Sequence, residues 1–135
     1  MSKPVYGIYE LSQFLRYVFV CEGPFNVWSL KGWGKEAVGL LGTGTEGQFN
    51  ELLTINCDGF VLALDPDNAG VKGTYKLGNF LRSRHIKVMV TLIPEGKDIN
   101  DLTLDEFRQV EVVTFQEWII INKKLLQKLE LISSE

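Results

Sequence analysis

Residues 60–70 read FVLALDPDNAG, an uninterrupted apolar run that ends in two acids on either side of a proline. A short continuous run of this kind predicts a strand that is buried on both faces, as in parallel sheets. After it, Val71, Leu77 and Leu81 recur at helical spacing and predict a helix over about residues 69–83. The stretch therefore predicts a strand, an acidic turn and a helix, the repeating unit of an α/β fold.

The same unit recurs on both sides of this segment. Apolar runs that predict further strands occupy residues 17–21, 37–41, 87–93 and, more weakly, 110–114. Helices are predicted between them near residues 24–31 and 46–53, and an amphipathic C-terminal helix is predicted over about residues 115–132. The alternation predicts a mainly parallel sheet of four to five strands flanked by helices, in a single domain of residues 1–135 with its core at about 17–107.

Composition excludes several classes of protein. A formal net charge of -3 rules out a bulk polycation, so any contact with nucleic acid needs a local patch or a bound metal. Two cysteines and one histidine are too few for a zinc site of four organised ligands, and we expect Cys21 and Cys57 to be reduced core residues. No apolar segment has the length of a membrane span, and reduced cysteines are typical of a cytoplasmic protein, which is what we expect.

Acidic residues follow three of the predicted strands. Glu22 follows the first, Asp65 and Asp67 follow the third, and Asp98 follows the fourth. Because parallel strands end at one edge of a sheet, these acids are expected to meet there and to repel one another unless a cation neutralises them. Oxygen ligands favour a hard ion such as Mg²⁺ or Mn²⁺. The alternative is that each acid caps a helix or forms a turn.

Phosphate-binding candidates lie near the same predicted edge. Gly42 and Thr43 begin a GTGT loop whose backbone N–H groups could hold a phosphate at a helix start, although a plain turn is an alternative. Lys72 and Lys97 could attract phosphate toward the acids, but a solvated helix face explains Lys72 almost as well.

Two tryptophans, Trp28 and Trp33, flank the first predicted helix. Exposed aromatic rings can stack on bases of single-stranded nucleic acid. Large aromatic side chains more often pack in a core, and we predict core packing for both tryptophans.

Three motifs together resemble the TOPRIM domain. They are VCEG at residues 20–23, LDPDNAG at 64–70 and GKDIND at 96–101. That domain is shared by bacterial and phage primases, topoisomerases, OLD-type nucleases and RecR-type repair proteins. The LLGT turn at residues 40–43 and the KDIN element most resemble primases of phages and mobile elements. The resemblance implies a Rossmann-like TOPRIM fold with its acids at the C-terminal ends of the strands.

The resemblance also implies roles for single residues. Glu22, Asp65 and Asp67 would be the catalytic acids and would bind Mg²⁺ or Mn²⁺, while Asp98 would share a second ion. Asn100 would contribute to nucleotide binding. The implied function is Mg²⁺-dependent phosphoryl transfer in a DNA primase that makes RNA primers during replication. Its partners would be a DNA template, an RNA primer, nucleoside triphosphates and a helicase or zinc-binding primase module, with no membrane.

The chain departs from the primase pattern in two ways. Asn26 and Asn100 stand where many bacterial primases carry aspartates. We also find no zinc-binding module and no basic template-binding subdomain, so we expect a fragment or a stand-alone TOPRIM protein with low activity in isolation. A small TOPRIM nuclease and a non-catalytic nucleic-acid-binding or assembly module remain alternatives. An aspartyl phosphatase is disfavoured because Ala69 replaces the Thr or Val that such enzymes need.

Overall fold

The computed structural model describes residues 5–8, 15–41 and 45–134. In chain order its elements are β1 (Leu15–Glu22), α1 (Gly23–Gly32), β2 (Ala37–Leu40), α2 (Glu46–Leu52), β3 (Cys57–Ala63), α3 (Asn68–Arg82), β4 (Lys87–Thr91), a 3₁₀ turn (Ile99–Asp101), α4 (Leu104–Gln109), β5 (Val112–Thr114), α5 (Phe115–Ile121) and α6 (Lys123–Lys128).

One five-stranded sheet organises the molecule, in the order β2-β1-β3-β4-β5. The first four strands run parallel, and β5 pairs antiparallel with β4 at one edge. The prediction of a mainly parallel sheet flanked by helices is confirmed. Because β1 pairs with both β2 and β3, Cys21 lies beside Gly39 on one side and Ala63 on the other. The carboxyl ends of the two central strands are therefore adjacent.

The alternation of side chains along β1 shows why both faces of the sheet are covered. Val18 and Val20 belong to a core with α2, α3, α5 and α6, whereas Phe19 and Cys21 belong to a second core with α1, the 3₁₀ turn and α4. Successive residues of a strand point to opposite faces, so a strand with helices on both sides has to be apolar at consecutive positions. This requirement explains the continuous apolar runs in the sequence.

The C-terminal segment differs from its prediction. Instead of one helix over residues 115–132, α5 and α6 are separated at Asn122, whose backbone angles are φ -100 and ψ 14. The Asn122 side chain donates a hydrogen bond at 3.0 Å to the same Trp118 oxygen that accepts the Asn122 backbone N–H, so the two helices are divided by the backbone angles of Asn122 and not by a lost helical hydrogen bond. Trp118 and Leu126 are nevertheless buried, so both helices cover the sheet.

The helices of the described residues were compared with the length and apolar character of a membrane span. No helix there is both long enough and apolar enough to cross a bilayer.

Candidate metal centre at the carboxyl edge of the sheet

Glu22 ends β1 and directly precedes α1. Its backbone is extended, and its side chain makes no capping hydrogen bond to the helix. Pro24 lies in the first turn of α1, where a missing N–H costs little because no helical acceptor is available there. The helix start therefore does not use the Glu22 carboxylate, which remains half-buried at the edge of the sheet.

Asp65 lies just past the end of β3, the neighbour of β1. Its Oδ1 atom is buried and, while the neighbouring acids are ionised, accepts no hydrogen bond from any donor in the described part of the chain. A buried carboxylate oxygen without a donor is energetically costly, so such an atom calls for an explanation such as an absent ion. This unpartnered oxygen is the observation that favours a cation at this edge.

The carboxyl groups of Glu22 and Asp65 interact strongly. The pKa of Glu22 is raised to about 8, first by burial, then by a side-chain hydrogen bond with Asp65, and then by the negative charges of Asp65 and Asp67. Two ionised carboxylates have no proton to share, so that hydrogen bond exists only while Glu22 is protonated. Without metal, the pair is therefore expected to hold a proton that a divalent ion can replace.

This coupling predicts how the stability of the metal-free domain depends on pH. Because its folded pKa lies above the ordinary 4.5, the protonated Glu22 stabilises the fold below about pH 4.5, and this contribution is lost as pH rises toward 8. In EDTA, the free energy of unfolding of Glu22→Gln should therefore exceed that of the wild type by a margin that grows with pH. Above pH 8 we expect about 1–2 kcal/mol, because solvent screens a half-exposed group.

Denaturant titrations of both proteins between pH 4.5 and 9 would measure this margin. Asp58→Asn, at an exposed acid near the other end of β3, is the control. Parallel stability curves for wild type and Glu22→Gln would contradict the coupling.

Asp67 has a structural role as well as a place at the site. Its Oδ1 atom accepts the Gly70 backbone N–H at 2.7 Å, which makes Asp67 the N-cap of α3, as the alternative reading of the sequence anticipated. A carboxylate has a second oxygen, and the Asp67 charge still contributes to the raised pKa of Glu22. Asp67 therefore lies beside the Glu22–Asp65 pair and caps a helix at the same time.

Asp98 is also a capping residue, at the N-terminus of the 3₁₀ turn. Its Oδ1 accepts the Asp101 N–H at 3.0 Å, while its own N–H donates to Asp101 Oδ2 at 3.0 Å. Burial raises the pKa of Asp98, the hydrogen bond from the Asp101 backbone lowers it, and the charges of Asp101 and Asp65 raise it again. The influence of Asp65 shows that the 3₁₀ turn approaches the same edge as β3.

A cleft of about 820 Å³ opens between the β3–α3 turn and the segment that leads into the 3₁₀ turn. Its lining includes Asp65, Asp67, Lys97, Asp98 and Asp101. The volume lies within the range of small-molecule sites. No three acidic, histidine or cysteine side chains in residues 5–8, 15–41 and 45–134 are grouped closely enough to hold an ion as they stand. The edge thus presents one close acidic pair with further acids around a cleft.

Comparison with known proteins identifies the family of this arrangement. Residues 19–103 match the family described as Toprim-like. The chain belongs to that family. No curated protein matches it in sequence.

Solved primase structures share this TOPRIM fold. A DNA primase domain from Pseudomonas aeruginosa superposes with a TM-score of 0.69 at 20% identity, over 92% of this chain and 42% of that one. The zinc-binding and RNA polymerase domains of the Aquifex aeolicus primase give 0.62 at 24% identity, over 83% and 30%. A primase catalytic domain bound to single-stranded DNA gives 0.66 at 20% identity, over 87% and 43%. This TOPRIM domain thus spans less than half the length of each.

TOPRIM domains bind divalent metal ions, and the residues of this one fit such an ion. Glu22 and Asp65 supply two adjacent carboxylates, one of which has a buried oxygen without a partner. Carboxylate oxygens are the ligands that hard cations prefer.

The predicted phosphate-binding residues have different environments in the TOPRIM domain. Lys97 lines the cleft, with its Nζ 3.1 Å from Glu106 Oε2. Lys72 is exposed on α3 and does not contribute to the lining. Gly42 and Thr43 lie outside the described residues, so phosphate binding by their loop stays a prediction.

Asn100 and Asn26 connect two elements of the site. The Asn100 N–H donates to Asn26 Oδ1 at 3.0 Å, and Asn100 Oδ1 accepts from Ser29 Oγ at 3.1 Å. Asn26 is buried, so its amide attaches the 3₁₀ turn to α1. The sequence marked Asn26 only as a departure from the aspartate of many bacterial primases, and the structure gives it a positioning role.

Sequence reasoning gave no role to Asp101, which lines the cleft and caps with Asp98. The spacing of two acids three residues apart in DIND was the available signal.

The two tryptophans have different environments: Trp33 stacks on Phe107 with ring centroids 4.7 Å apart, whereas Trp28 is 56% exposed. Core packing was the wrong prediction for Trp28.

Proposed function

We propose that this TOPRIM domain binds Mg²⁺ or Mn²⁺ at Glu22 and Asp65 and performs the nucleotidyl transfer of a DNA primase. The buried, unpartnered Oδ1 of Asp65 beside Glu22 carries the proposal. Membership of the TOPRIM family and the likeness of the fold to primase catalytic cores support it.

The chain's own groups would divide the work. Glu22 and Asp65 would hold the ion after losing their shared proton, while Asp67 would keep one oxygen on Gly70 and present the other. Lys97, in the cleft, would attract the phosphates of a nucleoside triphosphate. A bound divalent ion supplies charge neutralisation and in-line orientation for phosphoryl transfer.

Template binding would depend on partner segments. A net charge of -3 gives this chain little attraction for a polyanion, because affinity for nucleic acid comes largely from basic residues that neutralise phosphates. A primase catalytic domain with this fold was solved bound to single-stranded DNA, and this chain covers 43% of it. We infer that a DNA template, an RNA primer and a zinc-binding or helicase module complete the function, and that the isolated chain has low activity.

Asp98 tests the nucleotide part of the proposal. Asn can replace Asp as a cap, so Asp98→Asn should leave the fold and the Mn²⁺ affinity of the free protein nearly unchanged. The affinity for a non-hydrolysable ATP analogue in Mn²⁺ should fall about fivefold or more, because a carboxylate that would help to hold the nucleotide-bound ion is lost. Isothermal titration calorimetry measures both affinities.

Asp105→Asn is the matched control, because Asp105 is an exposed acid on α4 that does not line the cleft. Equal nucleotide affinities for wild type and Asp98→Asn would leave Asp98 as a cap only. Mn²⁺-dependent cleavage of single-stranded DNA without nucleotide binding would favour a nuclease instead.

A further inference from the structure

The outer face of α1 carries two exposed aromatic rings. Phe25 is 63% exposed and Trp28 is 56% exposed, while Asn26, Val27 and Leu30 on the other side of the helix are buried. Burial of α1 against the sheet therefore does not require either ring. Two adjacent exposed aromatic rings on one helix face form a candidate binding surface.

The two rings are held in a defined arrangement. Their centroids lie 5.2 Å apart with an interplanar angle of 83°, an edge-to-face pair. Trp28 Nε1 donates a hydrogen bond to the Tyr6 hydroxyl at 2.8 Å. An anchored indole loses less conformational entropy when it binds a ligand, so this arrangement favours recognition by a ring face.

The position of the rings relates them to the metal centre. Glu22 directly precedes α1, so Phe25 and Trp28 follow it by about one and two helical turns, or roughly 4.5 and 9 Å along the axis. Lys31 follows Trp28 at the same three-residue spacing, and α1 contains no acidic residue. The helix face therefore runs from the acidic edge, across two rings, to a cation.

We propose that Phe25 and Trp28 form a stacking platform for bases of single-stranded nucleic acid, with Lys31 beside the backbone phosphates. The inference rests on the proposed function and adds to it a path for the strand away from the metal centre. Because the two ring planes are nearly perpendicular, bases on the two rings would lie in different orientations, which the flexible backbone of a single strand permits, with the neighbouring cation near a phosphate. Such stacking tolerates any base sequence. A purely apolar protein surface would gain no favourable contact from Lys31, the cation that follows the two rings on α1.

Binding of fluorescein-labelled oligo-dT, measured by anisotropy in low salt, tests the platform. Trp28→Leu and Phe25→Leu should each weaken binding about fivefold to tenfold, whereas Trp28→Phe should retain most of the affinity because a ring face remains. Lys31→Ala should reduce the dependence of binding on salt concentration. Ile120→Ala is the matched control, because Ile120 is a 73% exposed apolar residue on α5.

Unchanged oligo-dT affinity in Trp28→Leu, or an equal loss in Ile120→Ala, would overturn the platform. So would a loss in Trp28→Phe as large as in Trp28→Leu, because it would point to the Tyr6 hydrogen bond and not to the ring face. Circular dichroism identifies a variant that fails to fold; if Trp28→Leu is such a variant, Phe25→Leu supplies the comparison, and unchanged oligo-dT affinity in Phe25→Leu overturns the platform. Two measurements separate this proposal from the metal centre. Absence of Mn²⁺ binding by the wild type would refute the metal centre. The oligo-dT affinities of the variants in EDTA would still test the platform, because they do not depend on a bound ion.

Discussion

Asp65→Asn is expected to lower the affinity of the domain for Mn²⁺ by about 100-fold or more, because loss of groups that merely support a ligand already costs 10–100-fold. Asp65 provides the buried oxygen that lacks a donor. It also raises the pKa of Glu22 more than Asp67 does. The metal-free variant should be at least as stable as the wild type, because an amide carries no charge and can donate to an ionised Glu22, so that folding no longer requires the pair to hold a proton.

Asp58→Asn is the matched control for this experiment. Asp58 is an exposed acid near the other end of the same strand, β3, so its loss changes the net charge equally without reaching the carboxyl edge. Calorimetric Mn²⁺ titrations of the three proteins give the comparison. Equal Mn²⁺ affinity for wild type and Asp65→Asn would remove Asp65 from the metal centre.

Gly70→Ala should damage both the fold and the site. A Cβ atom at this position would overlap the backbone carbonyl oxygen of Asp65, and a backbone atom cannot rotate away as a flexible side chain can. The turn that carries Asp65 and Asp67 must therefore shift. We expect a loss of at least about 2 kcal/mol in the free energy of unfolding, as for other overpacked interiors, together with weaker Mn²⁺ binding.

Two other glycines separate these effects. A Cβ on Gly78, also in α3, would overlap the Phe115 ring, so Gly78→Ala should lose stability but keep its Mn²⁺ affinity. Gly32 has open space around the added atom, and Gly32→Ala at the end of α1 should be neutral or slightly stabilising. A Gly70→Ala variant with the unfolding temperature and Mn²⁺ affinity of the wild type would contradict the close packing of this turn.

The sequence predicted the sheet well because its physical signature is local. Continuous apolar residues such as FVLAL are required wherever helices cover both faces of a strand. The antiparallel direction of β5 could not be predicted, because an apolar run is the same in either direction. Nor could the break at Asn122, where the backbone angles of one residue change within an otherwise periodic stretch.

The candidate site was predicted in part for an equally physical reason. Placement of acids after parallel strands predicts convergence at one edge, and Glu22 and Asp65 do converge. An aspartate at a helix start can cap the helix, bind a cation or do both, so only the structure reveals the hydrogen bonds of Asp67 and Asp98. Exposure of Trp28 was hidden because α1 is apolar on several sides, which leaves no periodicity to mark its buried face.

A crystal of the domain grown with Mn²⁺ and a non-hydrolysable ATP analogue tests the central claim most directly. Anomalous diffraction locates Mn²⁺ without assumptions about its ligands. We expect an anomalous peak at ligand distance from carboxylate oxygens of both Glu22 and Asp65, with the triphosphate in the cleft beside Lys97. A peak elsewhere on the molecule, or a nucleotide bound with no ion between these two acids, would contradict it.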